Sequence, residues 1–147
     1  MFVYRITTAN RAGKLSGSGY PARWNSKGVF VIYTASTRAL ACLETLVHRS
    51  GEGLPGVFKI TEIEIPDSAP FTSITDKELP ADWHLVQNSH LCREIGDQWI
   101  QENKTPLLIV PSAVIRDESN VLINPNHPDS ELVKVTEITA FEFDKRL

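Results

Sequence analysis

Val29-Phe30-Val31-Ile32-Tyr33-Thr34 is an unbroken apolar and β-branched run of strand length, and a helical pattern follows it from Ser36 to about Arg49. Ser36 is placed to cap the helix and Gly51 to stop it. At 100° per residue Ala39, Leu40, Leu43, Leu46 and Val47 cluster on one side, the mark of a helix packed on a core. Upstream, Phe2–Thr7 reads as a first strand, and residues 8–28 form a connection rich in Gly, Ser, Asn and Pro. A loop of about 20 residues inside a compact domain is uncommon and usually functional. Downstream, Phe58 and Ile60 share one parity and Ile63 and Ile65 the other, which predicts a bulge or bend near Thr61-Glu62. Asp67–Leu85 is Pro- and Asp-rich and irregular. Ser89–Gln101 reads as a second helix with Leu91, Ile95 and Trp99 at four-residue spacing, ahead of Pro106. Leu107–Val110, Val121–Ile123 and Leu132–Phe143 complete the strands. The pattern predicts one compact α+β domain over 1–147, a mixed β core with two main helices.

With 147 residues, 41% hydrophobic and 22% charged, the chain can bury a core without staples and is not a disordered segment. No apolar run approaches the ~20 residues that span a bilayer, and the start Met1-Phe2-Val3-Tyr4-Arg5 lacks a signal-peptide pattern. Cys42 and Cys92 are far apart and read as reduced thiols of a cytoplasmic protein. His48, His84, His90 and His127 show no ligand spacing, so no metal is expected. The net charge of −3 is unevenly spread. Residues 1–50 carry seven Lys/Arg and a single acid, Glu44, whereas residues 51–147 carry eight Lys/Arg and seventeen acids. A basic first third holding four glycines between 13 and 28 suits an anionic ligand. Mutual neutralisation of the two halves accounts for the same charges. Duplex nucleic acid fits poorly, because the whole chain is acidic and its basic residues form no dense stripe.

Within the connection, Gly19-Tyr20-Pro21-Ala22-Arg23-Trp24-Asn25-Ser26-Lys27-Gly28 gathers a guanidinium, an indole, an amide and an ammonium. Arg offers a planar fork for phosphate oxygens, and Gly lets the backbone approach a ligand. The segment equally describes a packed turn with Trp24 as a core plug. It is neither a P-loop nor a dinucleotide fingerprint. Glu44 lies about 40° from Leu40 on the helical wheel, at the rim of the apolar stripe; it is either an ordinary rim glutamate or a carboxylate held by cations. Tyr33, ending the apolar strand, either stacks on a flat ring or fills the core. Ser112 follows Val110-Pro111 at a strand end without a G-x-S-x-G elbow, which argues against a hydrolase nucleophile. His48 stands one turn after Glu44. Asn124-Pro125-Asn126-His127-Pro128 is a rigid turn whose polar tips are either structural or line a site.

Taken together, Tyr4-Arg5, Ala22-Arg23-Trp24-Asn25 with Gly28, Val31-Ile32-Tyr33-Thr34-Ala35, Ala39-Leu40-Ala41-Cys42-Leu43-Glu44, Val110-Pro111-Ser112 and Asn124-Pro125 with His127-Pro128 resemble the RES-domain family over nearly the whole chain. The resemblance implies an ADP-ribosyltransferase-like fold and a bacterial toxin of a type II toxin–antitoxin pair. Such a toxin takes NAD+ as substrate, with no cofactor. It implies cleavage of the nicotinamide–ribose bond by a glycohydrolase or phosphorylase, or ADP-ribosyl transfer to a cellular protein. It also implies a helix-turn-helix antitoxin that blocks the active site, with the toxin as a homo-oligomer or as a hetero-oligomer with that antitoxin. By the same resemblance Arg23, Glu44 and Ser112 form the name-giving triad, with Ser112 positioning the ribose or the nicotinamide amide, and Tyr33 is the aromatic of the nicotinamide pocket. Arg5, Trp24, Asn25, Lys27 and Asn124 are further substrate-binding candidates. A reading from another class is a non-catalytic nucleotide-binding module built on the Arg23 loop.

Overall fold

A computed structural model describes residues 1–49 and 56–147. Seven strands form one sheet: β1 (Phe2–Thr8), β2 (Ile32–Ala35), β3 (Phe58–Glu64), β4 (Phe71–Ser73), β5 (Leu107–Pro111), β6 (Ser119–Ile123) and β7 (Lys134–Phe141). Their order is β4-β5-β6-β2-β1-β3-β7, with only the β4–β5 pair parallel. Two helices, α1 (Arg38–His48) and α2 (Ser89–Glu102), complete an α+β fold.

Alternation along paired strands gives the sheet a core on each face. Val3 faces Ile63 and Ile32 faces Ile123 across the ladders, and with Leu107, Val121 and Val133 they form one cluster. Residues of the opposite parity, Ile6 paired with Ile60, join Phe58, Ala35 and the α1 residues Leu40 and Ala41. A third cluster gathers Trp24, Trp83, Trp99 and Cys92 against Leu108, Val110 and Leu122. The parity change in β3 thus serves two cores, and a register shift toward β7 falls between Glu62 and Ile63, where a bulge or bend is predicted.

Several boundaries differ from the sequence reading, each for a visible reason. β2 begins at Ile32, because Val29 belongs to the preceding turn: its N–H donates to the Ser26 carbonyl and its carbonyl accepts from Asn25 Nδ2. Thr37 caps α1, its side chain accepting from the Leu40 N–H at 3.0 Å; the N–H of Ser36 instead donates to Ser119, extending the β2–β6 contact. The buried residues of α1 are Leu40 and Ala41, whereas Ala39 and Val47 are exposed, because the face two turns long below Ala41 borders a cleft rather than the core. Gly51 lies outside the described residues. In α2 the buried stripe is Cys92, Gly96 and Trp99, with Leu91 and Ile95 only half-buried. β4 has three exposed residues and no periodicity that would reveal it.

Both thiols are free, and burial pushes them up from the usual cysteine range. Among the described residues no helix is long and apolar enough to cross a membrane, and no cluster of His, Cys, Asp and Glu could hold a metal ion.

One topological detail positions everything that follows. β1 pairs with β3 at all seven of its positions but with β2 only at Tyr4↔Ala35. From Arg5 onward β1 leaves its neighbour, and the sheet opens.

Candidate functional site

The opening between β1 and β2 is a cleft of two connected lobes that share Arg5, Tyr33 and His48. The wall of the first lobe is α1, which presents Ala41, Glu44, Thr45 and His48, the i, i+3, i+4, i+7 face of a helix. The opposite wall is β1, with Asn120 of β6 beside Glu44. The second lobe lies under the segment Ser18–Ala22, with Asn25 and Val31 behind it.

Glu44 is half-buried, and its Oε1 accepts two hydrogen bonds, from Ser112 Oγ at 2.8 Å and from Asn120 Nδ2 at 2.7 Å. Ser112 is fully buried, and its Oγ in turn accepts from the N–H groups of Val114 and Ile115. Those two donors occupy the oxygen's acceptor side, so the hydroxyl proton points at Glu44. Oε1 of Glu44 is thus anchored by two donors at the wall of the cleft. Ser112 touches the acid and not the open space.

Tyr33 is the aromatic between the lobes. Its hydroxyl donates to Asn25 Oδ1 at 2.6 Å and accepts from the Trp24 N–H at 3.1 Å. Burial pushes the phenol well above its ordinary pKa, so Tyr33 is a neutral donor at any working pH. Asn25 is itself buried, and its Nδ2 donates to the carbonyls of Tyr20 and Val29 at 2.8 and 2.9 Å. This clip rests on α2: Asp97 accepts from the backbone N–H and the hydroxyl of Ser26, and Gly96 lies against Trp24.

Arg5, Arg11 and Arg49 line the first lobe. Among the described residues none of the three has a carboxylate within ion-pair distance. Arg5 donates to the carbonyls of Lys14 and Ser16 at 3.2 Å each, and burial together with Arg11 lowers its pKa to about 10. It remains cationic at neutral pH, beside a second cation, and among the described residues neither is in an ion pair.

The other sequence-derived residues sit elsewhere. Arg23 lines neither lobe; its guanidinium donates to the carbonyls of Trp83 and His84 at 3.1 Å and lies over the Trp83 ring. Trp24 is a core plug, tilted against Trp83, and Lys27 is exposed outside the cleft. Asn124 is buried at the end of β6, donating to Asn103, the left-handed C-cap of α2, and accepting from the Asn126 N–H. His127 caps the next turn through Asp129. That Asn-Pro segment is a structural turn. Sequence reasoning missed Asn120, which shares a face with Leu122 and was legible only as the residue before an apolar run. It counted Arg11 and Arg49 as charges without placing them at a site.

The sequence model of the RES domain family matches residues 2–144, and the chain belongs to that family. It is 41% identical to the Prs ADP-ribosylating toxin of Sphingobium sp. (strain YBL2), over 98% of this chain and 94% of that protein. It is 34% identical to Toxin Res of Yersinia enterocolitica serotype O:8, covering all of this chain and 99% of the relative. The fold is shared with a chain of the M. tuberculosis MbcT-MbcA toxin-antitoxin complex, at a TM-score of 0.79 and 17% identity, over 95% of this chain and 83% of that one.

Proposed function

We propose that this protein is an NAD+-consuming toxin of a toxin–antitoxin pair, acting in the cytoplasm, that breaks the bond between nicotinamide and ribose. The carrying observation is the Glu44 carboxylate, anchored through one oxygen by Ser112 and Asn120 in a cleft also lined by Arg5, Arg11 and Arg49, none of which is in an ion pair among the described residues. Loss of nicotinamide leaves an oxocarbenium-like cation on the ribose. A fixed anion beside that sugar stabilises the cation and can accept from a ribose hydroxyl. The diphosphate supplies the anions that Arg5 and Arg11 lack, and the Tyr33 ring offers a face for the cationic nicotinamide. In this reading Arg23, Asn25 and Trp24 are positioning residues that build the Tyr33 wall, and Ser112 acts through Glu44. Lys27 and Asn124 take no part in the cleft. The whole chain, 1–147, is read as one RES domain, and the implied partner is a helix-turn-helix antitoxin that covers the opening.

In the first form of the reaction the acceptor is water or inorganic phosphate. A second form, transfer of ADP-ribose to a cellular protein, is favoured by the name of the 41% identical relative. Incubation of the purified protein with NAD+, with and without phosphate, followed by product analysis, separates ADP-ribose from its phosphorylated counterpart. Labelled NAD+ in a cell lysate reveals transfer as a labelled protein band. Absence of nicotinamide release under all of these conditions refutes the proposal.

Two further outcomes follow from the site. Asn120→Ala lowers kcat about tenfold, because Glu44 loses one of its two anchors, and costs no more than about 1 kcal/mol of stability, because water in the cleft replaces the lost donor. Ser112→Ala lowers kcat similarly but costs about 3 kcal/mol of stability, because two buried backbone N–H groups lose their acceptor as well. Urea titration beside steady-state kinetics distinguishes the two.

The second outcome concerns pH. The Arg5 pKa is lowered to about 10 in the folded protein, below the ordinary guanidinium range. Its charged form therefore costs the fold stability at all pH below about 10, a cost relieved as pH rises from there toward that ordinary range. An anion at Arg5 offsets that cost only while Arg5 is charged. Inorganic pyrophosphate raises Tm at pH 7.5, by an amount equivalent to about 2.7 kcal/mol at a hundredfold excess over Kd. The increment shrinks as pH is raised through about 10. A pH-independent increment would remove Arg5 from the anion site.

A further inference from the structure

We propose that the second lobe seats the far base of the dinucleotide, with the Tyr20 ring stacked on the adenine, so that the site favours NAD+ over nicotinamide mononucleotide; this rests on the reaction proposed above. Glu44 lines the first lobe alone, whereas Arg5 lines both. If the bond being cut lies at Glu44 and the diphosphate at Arg5, the remaining nucleoside extends past Arg5, away from the acid. The space there is the second lobe, whose wall carries Tyr20, Pro21 and Val31 and, among the described residues, no carboxylate. Its chemistry suits a flat, neutral, aromatic ring.

Tyr20 is 76% exposed, and among the described residues its hydroxyl has no hydrogen-bond partner. Its backbone is nevertheless fixed. The Tyr20 carbonyl accepts from Asn25 Nδ2 at 2.8 Å, its N–H donates to Ser18 Oγ at 3.2 Å, and Gly28 donates to the carbonyl of Gly19 at 2.9 Å. Gly19 has φ +74°, and a side chain there would strike the Phe30 ring, so the turn that aims Tyr20 depends on glycine. Asn25 holds two aromatic residues of the cleft at once, Tyr33 by its hydroxyl through Oδ1 and Tyr20 by its carbonyl through Nδ2. A large exposed ring on a pinned backbone loses little freedom when a base stacks on it. Base–aromatic stacking is strong enough for a readable change in KM, and is indifferent to the polar edge of the base.

The test compares the wild type with Tyr20→Ala, Tyr20→Phe and Tyr20→Trp on NAD+ and on nicotinamide mononucleotide, with isothermal calorimetry of ADP-ribose alongside. Tyr20→Ala is expected to raise KM for NAD+ about tenfold with kcat within about twofold, to leave the mononucleotide's kinetics unchanged, and to weaken ADP-ribose binding about tenfold. Tyr20→Phe and Tyr20→Trp restore both readouts. Unchanged KM and unchanged ADP-ribose affinity overturn the proposal, as does an equal effect on NAD+ and the mononucleotide, which would put the nicotinamide end in this lobe. If the wild type releases no nicotinamide at all, the reaction is refuted, while calorimetry still decides on Tyr20: affinity that depends on the ring upholds the stack, and affinity that does not, or no binding, ends it.

Discussion

Glu44→Gln folds like the wild type and releases nicotinamide from NAD+ about 10²–10³-fold more slowly. Glutamine is nearly isosteric with glutamate, and its carbonyl oxygen can still accept from Ser112 Oγ and Asn120 Nδ2. The anchoring survives, and only the charge is lost. Because an oxocarbenium-like centre exists in the transition state and not in bound NAD+, the deficit falls on kcat rather than on KM. Circular dichroism and the affinity for ADP-ribose are expected to stay close to the wild type. A Glu44→Gln protein that cleaves NAD+ at the wild-type rate would remove the carboxylate from the chemistry altogether.

Gly96→Ala is the largest expected loss of stability from a single methyl group. A Cβ built at Gly96 sits 1.7 Å from the Trp24 carbonyl oxygen and 2.7 Å from its carbon, both backbone atoms that no rotamer can move. In an ordinary helix the change gains about 1 kcal/mol of propensity. Here the overlap costs on the order of 3 kcal/mol, so a net destabilisation of about 2 kcal/mol is expected in chemical denaturation. Activity falls as well, because displacement of Trp24 shifts the N–H that holds the Tyr33 hydroxyl and the neighbouring Asn25 clip. Neutral behaviour of Gly96→Ala would show that the connection can retreat from α2 at no cost.

The amphipathic pattern of α1 made the helix legible in the sequence, but not the direction it faces. Of the stripe Ala39, Leu40, Leu43, Leu46 and Val47 only Leu40 is fully buried; Leu43 and Leu46 are half-buried, Ala39 and Val47 are exposed, and the helix lines the cleft with Ala41, Glu44, Thr45 and His48. A short helix over a cleft need not bury its most apolar stripe, so periodicity alone misplaces it. The strands Leu107–Val110 and Val121–Ile123 were plain from composition, since they are buried on both faces. β4 was invisible, because three exposed edge residues leave no pattern. Glu44 stood out as the lone acid in a basic third of the chain, and Arg23 stood out for its glycine-flanked loop. Only coordinates show that the Arg23 guanidinium donates to the carbonyls of Trp83 and His84 and lines neither lobe, while Arg5 lines both. Asn120 and Arg11 meet Glu44 and Arg5 through the topology of the sheet, a relation that no local window of sequence contains.

With a single rung between β1 and β2, Tyr4↔Ala35, the backbone ladder is nearly interrupted there, and side chains join the two parts of the sheet instead: Val3 with Ile32, and Ile6 with Ala35 and the α1 residues Leu40 and Ala41. The β1–β3–β7 half carries Arg5, while the β4–β5–β6–β2 half carries Tyr33 and Asn120. A molecule lying across the gap touches both halves and takes the place of the missing rungs. A ligand bound there is thus expected to splint the two halves, tightening a seam that the backbone ladder closes at one rung only.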